Sequence, residues 1–141
     1  MVGLDGEVRI ARSCADVFDV VADERNRYDP RIRHAELLTA GPLGVGSRFR
    51  SVTTSMGRQV EMIVEITAYE RPRRLATTTR TSSVDIHSVM IFEPVGGGTR
   101  MRWRSELQPH GLLKVLTPVM GVVGRRQTQR IWTGLKHRLE R

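Results

Sequence analysis

The residues able to do acid–base or metal chemistry are few in this sequence and widely separated. Asp85 and His87 stand two positions apart, which puts both side chains on one face of a strand. No third ligand accompanies them, and a surface Asp and His pair is the simpler interpretation. Cys14 has no second cysteine for a disulfide or a zinc site, which favours a small buried residue. The sequence therefore predicts no metal and no cofactor.

Motifs for nucleophilic catalysis or phosphate binding are also missing. Residues 96–98 are three glycines between two predicted strands, without the helix and lysine that complete a phosphate-binding loop. Ser51, Ser88 and Ser105 lie on predicted strands, and nothing places a histidine and a carboxylate beside any of them. The sequence therefore names no catalytic residue.

Composition restricts the class of protein. The chain has 141 residues, 39% hydrophobic and 27% charged, which is ordinary for a globular protein and predicts one domain over 1–141. The first residues lack the basic-then-apolar pattern of a signal peptide, and no stretch approaches the roughly 18 apolar residues of a membrane span. A cytoplasmic protein without integral membrane association is expected.

The net charge of +8 comes from 23 Lys and Arg residues against 15 Asp and Glu residues. The basic residues are spread from Arg9 to Arg141 rather than collected in one block. A nucleic-acid interface usually combines a basic stripe with exposed aromatic side chains. This chain has only three Phe, two Tyr and two Trp, most of them at core-like positions. Composition therefore does not favour a nucleic-acid partner.

Hydrophobic periodicity predicts a strand and then a short helix at the N-terminus. Apolar and charged residues alternate over 2–10, which is the period of a half-buried strand. Ser13 stands three residues before Asp16, an N-cap and acidic N3 pair, and the helix that follows is predicted to end near Ala22. The polar segment 23–34 predicts a turn or one loose helical turn.

A period of two residues begins at Ala35 and continues for about seventy residues, broken by turn residues. Each break marks a hairpin, and such short connections make neighbouring strands antiparallel. With the first strand, the predicted sheet has seven strands. The other six are predicted at 36–40, 48–54, 59–69, 75–81, 84–92 and 99–107.

The C-terminal segment predicts a long helix over about 118–140. Residues at spacings of three and four share one helical face. That face carries Met120, Gly124, Thr128, Ile131, Leu135 and Leu139. The helix must cover the apolar face of the sheet, which makes the fold class α+β.

Alternation also separates the two faces of the sheet. The outer face is predicted to be wet and carries the row Arg100, Arg102 and Arg104. The inner face is predicted to hold Phe49, Ser51, Val60, Met62, Val64, Thr77, Thr79, Ser88, Met90, Phe92, Met101, Trp103 and Ser105, opposite Met120, Thr128 and Ile131 of the helix.

Five segments in the element order β-α-α-β6-α carry a resemblance to a known family. They are VRI at 8–10 with SCADVFD at 13–19, YDP at 28–30, GVGSRF at 44–49, EPVGGGTR at 93–100 and the terminal helix. Together they resemble the polyketide cyclase/dehydrase branch of the SRPBCC superfamily, whose helix-grip fold START lipid-transfer domains and the birch-pollen allergen share. The resemblance implies a curved sheet wrapped around the C-terminal helix, with one or two short helices after strand 1. It also implies a partly filled cavity between sheet and helix.

A cavity with this lining suits an apolar ligand that carries one or two hydroxyl or carbonyl groups. On the helix, Gly124 leaves room for a ligand or, alternatively, lets a bulky residue such as Trp103 approach. Tyr28, His34 and His110 are expected in loops at the cavity mouth. The predicted ligand-binding residues are Tyr28, Phe49, Ser51, Met62, Val64, Thr77, Ser88, Met90, Trp103, Ser105, Met120, Gly124 and Thr128.

Three functions stay open at this point. The leading hypothesis is a carrier or sequestering protein for a small hydrophobic molecule such as a lipid, a quinone-like compound or a polyketide. The second is a polyketide cyclase or dehydratase, which requires an inward acid or base that the sequence does not plainly supply. The third is an interaction module whose outer arginine row docks an acidic partner, with rows such as Glu61 and Glu65 on adjacent strands as the local explanation. A homodimer is left open.

Overall fold

The computed structural model describes the backbone of residues 2–26, 31–55, 57–110 and 117–140, and their side chains except at 2, 55, 117–124 and 127. Within these ranges the chain forms one antiparallel sheet, two α-helices and a 3-10 turn. The elements are β1 (Val2–Ile10), α1 (Cys14–Ala22), the 3-10 turn (Glu24–Asn26), β2 (Ile32–Leu37), β3 (Arg48–Ser55), β4 (Arg58–Glu70), β5 (Arg74–Arg80), β6 (Val84–Val95), β7 (Gly98–Pro109) and α2 (Thr117–Glu140).

The sheet has seven strands in the order β1-β7-β6-β5-β4-β3-β2, as the meander prediction requires. Strands β2 to β7 follow one another through the sheet, and β1 joins at the far edge by pairing with β7. Every pair of neighbours is antiparallel. The register places Leu4 opposite Ser105 and Ser105 opposite Ser88, which aligns the inner faces of β1, β7 and β6.

The largest difference from the predicted elements is at β2. The prediction began this strand at Glu36, whereas it begins at Ile32, so His34 is a strand residue rather than a loop residue. Only Ile32 of this strand is buried. An edge strand with mostly exposed side chains lacks the alternation on which the prediction depended.

The connection between β6 and β7 is also tighter than predicted. The expected loop ran from 93 to 98, but β6 continues to Val95 and β7 starts at Gly98. Only Gly96 and Gly97 remain in the turn, with φ of 54° and 84°. Two central residues with positive φ make the hairpin turn whose twist matches that of the strands.

Helix α1 closes one end of the sheet. It begins as predicted, because the Ser13 hydroxyl accepts a hydrogen bond of 3.1 Å from the amide of Asp16. Phe18 is fully buried and meets Tyr69 and Phe92 edge-on, with ring centroids 5.1 and 5.2 Å apart. Edge-on rings pair the positive ring edge with the negative face, so this contact orients the helix as well as burying it.

Helix α2 is held on β1 at its C-terminal end. Leu135 is fully buried there and Leu139 is 9% exposed. The amide of Ala11 donates to the Glu140 carboxylate at 2.9 Å, and Lys136 Nζ donates to the carbonyl of Arg9 at 2.7 Å. No helix in the described ranges is both long and apolar enough to cross a membrane.

Candidate ligand-binding cavity

A cavity of about 210 Å³ lies between the inner face of the sheet, the end of α1 and the described part of α2. All seven strands contribute to its lining, and α2 contributes Thr128, Ile131 and Trp132. Most of the surface is apolar. The space exists because the sheet bends around the helix and the side chains between them do not fill the interior.

Nine of the thirteen predicted ligand-binding residues line this cavity. They are Phe49, Met62, Val64, Thr77, Ser88, Met90, Trp103, Ser105 and Thr128. Ser51 does not line it: its side chain is fully buried on the inner face, and its hydroxyl has no hydrogen-bond partner among the described residues. Tyr28 and the side chains at Met120 and Gly124 lie outside the described residues, so their roles stay predictions.

Hydroxyl groups from three adjacent strands line one part of the cavity wall. Ser105 on β7 faces Ser88 on β6, and Ser88 faces Thr77 on β5. We call these three residues the hydroxyl row. The Oγ atoms of Ser88 and Ser105 are 2.9 Å apart, a hydrogen bond that either serine can donate. The row gives this part of the wall a line of hydroxyl groups with which a ligand can form hydrogen bonds.

The two tryptophans of the chain meet at the cavity. Trp103 and Trp132 both line it, with ring centroids 5.9 Å apart and ring planes inclined at 45°. Trp103 lies directly over Gly6, where an added Cβ would stand 2.5 Å from its Cζ2 atom. Trp132 was absent from the predicted helical face, although the spacings from Thr128 to Trp132 and on to Leu135 are four and three and were visible in the sequence.

Two charged residues also line the cavity, and neither was predicted to do so. Glu24, in the 3-10 turn, is only 7% exposed, and Arg31 precedes β2. The sequence placed both in a polar loop, where no periodicity shows which side chains turn inward. The interior therefore holds an acid or base that alternation along the strands could not reveal.

The histidines considered in the sequence, His34, His87 and His110, do not line the cavity, and neither does Asp85. Asp85 and His87 alternate with lining residues and so belong to the outer face, as predicted. Asp85 Oδ1 is 3.1 Å from His110 Nε2, and His87 Nδ1 is 3.2 Å from Thr78 Oγ1. His34 and His110 are exposed and do not line the cavity. In the described part of the chain, no three His, Cys, Asp or Glu residues are grouped to hold a metal ion.

Two members of the outer arginine row, Arg100 and Arg102, form ion pairs within their own sheet. Arg100 lies 3.1 Å from Glu93, and Arg102 Nε lies 2.7 Å from the same carboxylate. The hydrogen bond from Arg100 is the main reason that the pKa of Glu93 is lowered. The suggested partners Glu61 and Glu65 were wrong, because both lie on β4, whereas β7 has β6 and β1 as neighbours. Glu61 pairs instead with Arg50 on β3. These contacts favour a local explanation of the row over the docking of an acidic partner.

Solved structures share this architecture. A START superfamily protein from Mycobacterium smegmatis gives a TM-score of 0.84 at 15% identity, over 98% of this chain and 97% of that one. A protein from Thermus thermophilus gives 0.80 at 17% identity, over 97% and 96%. Ara h 8.0201 gives 0.71 at 15% identity, also over 97% and 96%. At such identities the likeness shows the fold, and the fold is the helix-grip fold.

The family follows from the sequence match. Residues 1–140 match the model of the family described as polyketide cyclase / dehydrase and lipid transport. This match covers nearly the whole chain, and the protein belongs to that family. The predicted resemblance and the predicted fold class are thereby confirmed. No curated protein matches the chain in sequence.

Proposed function

We propose that this protein binds a small hydrophobic molecule in the cavity between sheet and helix, and carries or sequesters it. The observation that carries the proposal is the cavity itself, a mostly apolar space of about 210 Å³ with a few polar and two charged side chains in its wall. Burial of apolar ligand surface there is favourable by roughly 25 cal/mol per Å² removed from water. The family description, which includes lipid transport, points in the same direction.

The volume limits the size of the ligand. The cavity measures about 210 Å³. Cavities that enclose a drug-sized ligand measure about 300–1,000 Å³. The ligand enclosed here is therefore a compact molecule, or the compact end of a longer one.

Native mass spectrometry of the protein as purified, followed by denaturing extraction, tests the proposal. We expect a stoichiometric apolar adduct on the wild-type chain, and its loss from Ser88→Leu, which projects a larger side chain into the cavity. Ser82→Leu makes the same change at an exposed turn residue and should keep the adduct. An adduct that Ser88→Leu retains in full would place the ligand elsewhere and contradict the proposal.

A second candidate function is the ring-closing chemistry of a polyketide cyclase, which the position of Glu24 favours. A carboxylate that lines a cavity and is 7% exposed is placed to move a proton on a bound ligand. As a base, it would remove a proton from a carbon beside a ketone. The enolate would form a carbon–carbon bond to a second carbonyl, and the proton would return to the new alkoxide.

Hydrogen exchange on a model ketone separates this candidate from plain binding. The α-hydrogens of 1-tetralone in D₂O can be followed by NMR with and without the protein. If Glu24 is a base, the wild-type chain accelerates the exchange, Glu24→Gln removes the acceleration, and Glu36→Gln on exposed β2 keeps it. A wild-type chain that leaves the exchange rate unchanged would rule the candidate out and leave binding alone.

A further inference from the structure

The hydroxyl row crosses the wall of the cavity in register. Ser105, Ser88 and Thr77 are successive Cα partners on β7, β6 and β5, and all of them line the cavity. Adjacent strands lie about 4.8 Å apart, so the row places three hydroxyl groups along one line. A row in register is a more specific feature than three isolated polar residues, because one ligand can meet all of it.

The hydroxyl groups of Ser88 and Ser105 keep hydrogen-bonding capacity that a ligand can use. Each serine hydroxyl has one donor and two acceptor lone pairs. The bond of 2.9 Å between Ser88 and Ser105 uses one donor and one acceptor. One O–H group of the pair and several lone pairs stay available to a bound molecule. The pair can also reverse its direction, and so can serve a ligand carbonyl or a ligand hydroxyl.

The surroundings of the row are apolar. The lining side chains beside Ser88 and Ser105 are Leu4, Ile86, Met90, Trp103 and Leu107. The charged lining residues, Glu24 and Arg31, come instead from the segment between α1 and β2, at the other edge of the strand order. No basic side chain of β5, β6 or β7 lines the cavity, so a carboxylate placed at the row would lose its hydration without a counter-charge from the strands that carry the row.

We infer that the ligand is a compact ring compound whose neutral hydroxyl or carbonyl group hydrogen-bonds to Ser88 and Ser105. The flat rings of Trp103 and Trp132 beside the row suit a planar ligand body. An unsubstituted hydrocarbon leaves the row unused, and a carboxylate there gains no counter-charge from the strands that carry the row. The inference rests on the proposed binding function and states the ligand class that this function requires.

Isothermal titration calorimetry with naphthalene, 2-naphthol and 2-naphthoate tests the inference. The three probes share one ring system and differ in the group that they offer to the row. One neutral hydrogen bond is worth about threefold to tenfold in affinity, so 2-naphthol should bind more tightly than naphthalene by that factor. The anion 2-naphthoate should bind more weakly than 2-naphthol.

Serine-to-alanine variants test whether the row causes the tighter binding of 2-naphthol relative to naphthalene. In Ser88→Ala with Ser105→Ala, naphthalene and 2-naphthol should bind equally, whereas Ser82→Ala should keep the wild-type ratio. Each single variant is measured too, in case the double variant folds poorly. Equal binding of naphthalene and 2-naphthol to the wild type, tightest binding of 2-naphthoate, or an unchanged ratio in folded row variants would overturn the inference. Failure of all three probes to bind would instead overturn the proposed function.

Discussion

At the scale of single residues, the cavity wall depends on how Trp103 is seated. Its indole lies over Gly6 on the neighbouring strand and also meets Trp132 of α2. Trp103 is only 4% exposed, so its ring packs against protein rather than solvent. A glycine at position 6 is therefore required by the close approach of the ring.

Gly6→Ala should destabilise the protein. The new Cβ would stand 2.5 Å from Cζ2 of Trp103, which forces the ring toward the cavity, and overpacking of this kind costs about 1–3 kcal/mol. Gly3→Ala is the matched control on the same strand, because a Cβ there meets nothing within 4 Å, and we expect a change within about 0.5 kcal/mol. Urea unfolding of both variants measures the difference. Equal stabilities would show that the ring is not confined as described.

Alternation along the strands predicted which residues face inward, and it placed Ser88, Trp103 and Ser105 on the cavity side. It could not find Glu24, because a 3-10 turn of three residues has too little length for a period to appear. It also could not show that Ser51 is buried without lining the cavity. A face is a local property of the sequence, whereas a cavity depends on how all side chains pack together.

At the scale of elements, the two partners of an ion pair within α2 each make a hydrogen bond that fastens the end of the helix to the backbone at the end of β1. The Glu140 carboxylate accepts from Lys136 Nζ at 2.7 Å and from the amide of Ala11 at 2.9 Å. The hydrogen bond from Lys136, followed by that from Ala11, lowers the pKa of Glu140. A carboxylate with a pKa lower in the folded chain stabilises the fold above its unfolded pKa and loses that effect as the pH falls through the folded value.

Glu140→Gln should therefore reduce stability in a way that depends on pH. Near neutral pH the variant should unfold at lower urea concentration than the wild type, and the gap should narrow between about pH 7 and about pH 3, as the pH falls below the ordinary range of a glutamate carboxyl toward the lowered folded pKa of Glu140. Glu106→Gln, at an exposed residue of β7, is the control and should show no such closing gap. A gap for Glu140→Gln that is equal at both pH values would show that the charge does not hold the helix.

The elements themselves were largely predictable. Strands with one buried face show the two-residue period, and α2 shows its spacings of three and four, so these appeared within a few residues of their true bounds. The start of β2 was predicted too late, because this edge strand is mostly exposed and its side chains do not show the two-residue period. The short turn at Gly96 and Gly97 was predicted as a longer loop, because Pro94 and the glycines after it are all turn residues by composition.

At the scale of the whole molecule, a curved sheet, a closing helix and a covering helix enclose a space that they do not fill. Trp103 and Trp132 are the only tryptophans of the chain, and both line this space. The tryptophan emission of the protein therefore comes entirely from the cavity wall. That emission is a direct intrinsic signal for an event inside the cavity.

Quenching of that emission by bromobenzene tests the central claim, because a heavy atom quenches a tryptophan only at close range and the probe is compact and apolar. If the cavity binds such molecules, the emission falls along a saturating curve as bromobenzene is added. Ser88→Leu should shift half-saturation to a higher bromobenzene concentration, whereas Ser82→Leu should leave it unchanged. Quenching that rises linearly without saturation, at the rate seen for a free tryptophan derivative and equally in both variants, would contradict the claim that this protein binds a ligand in its cavity.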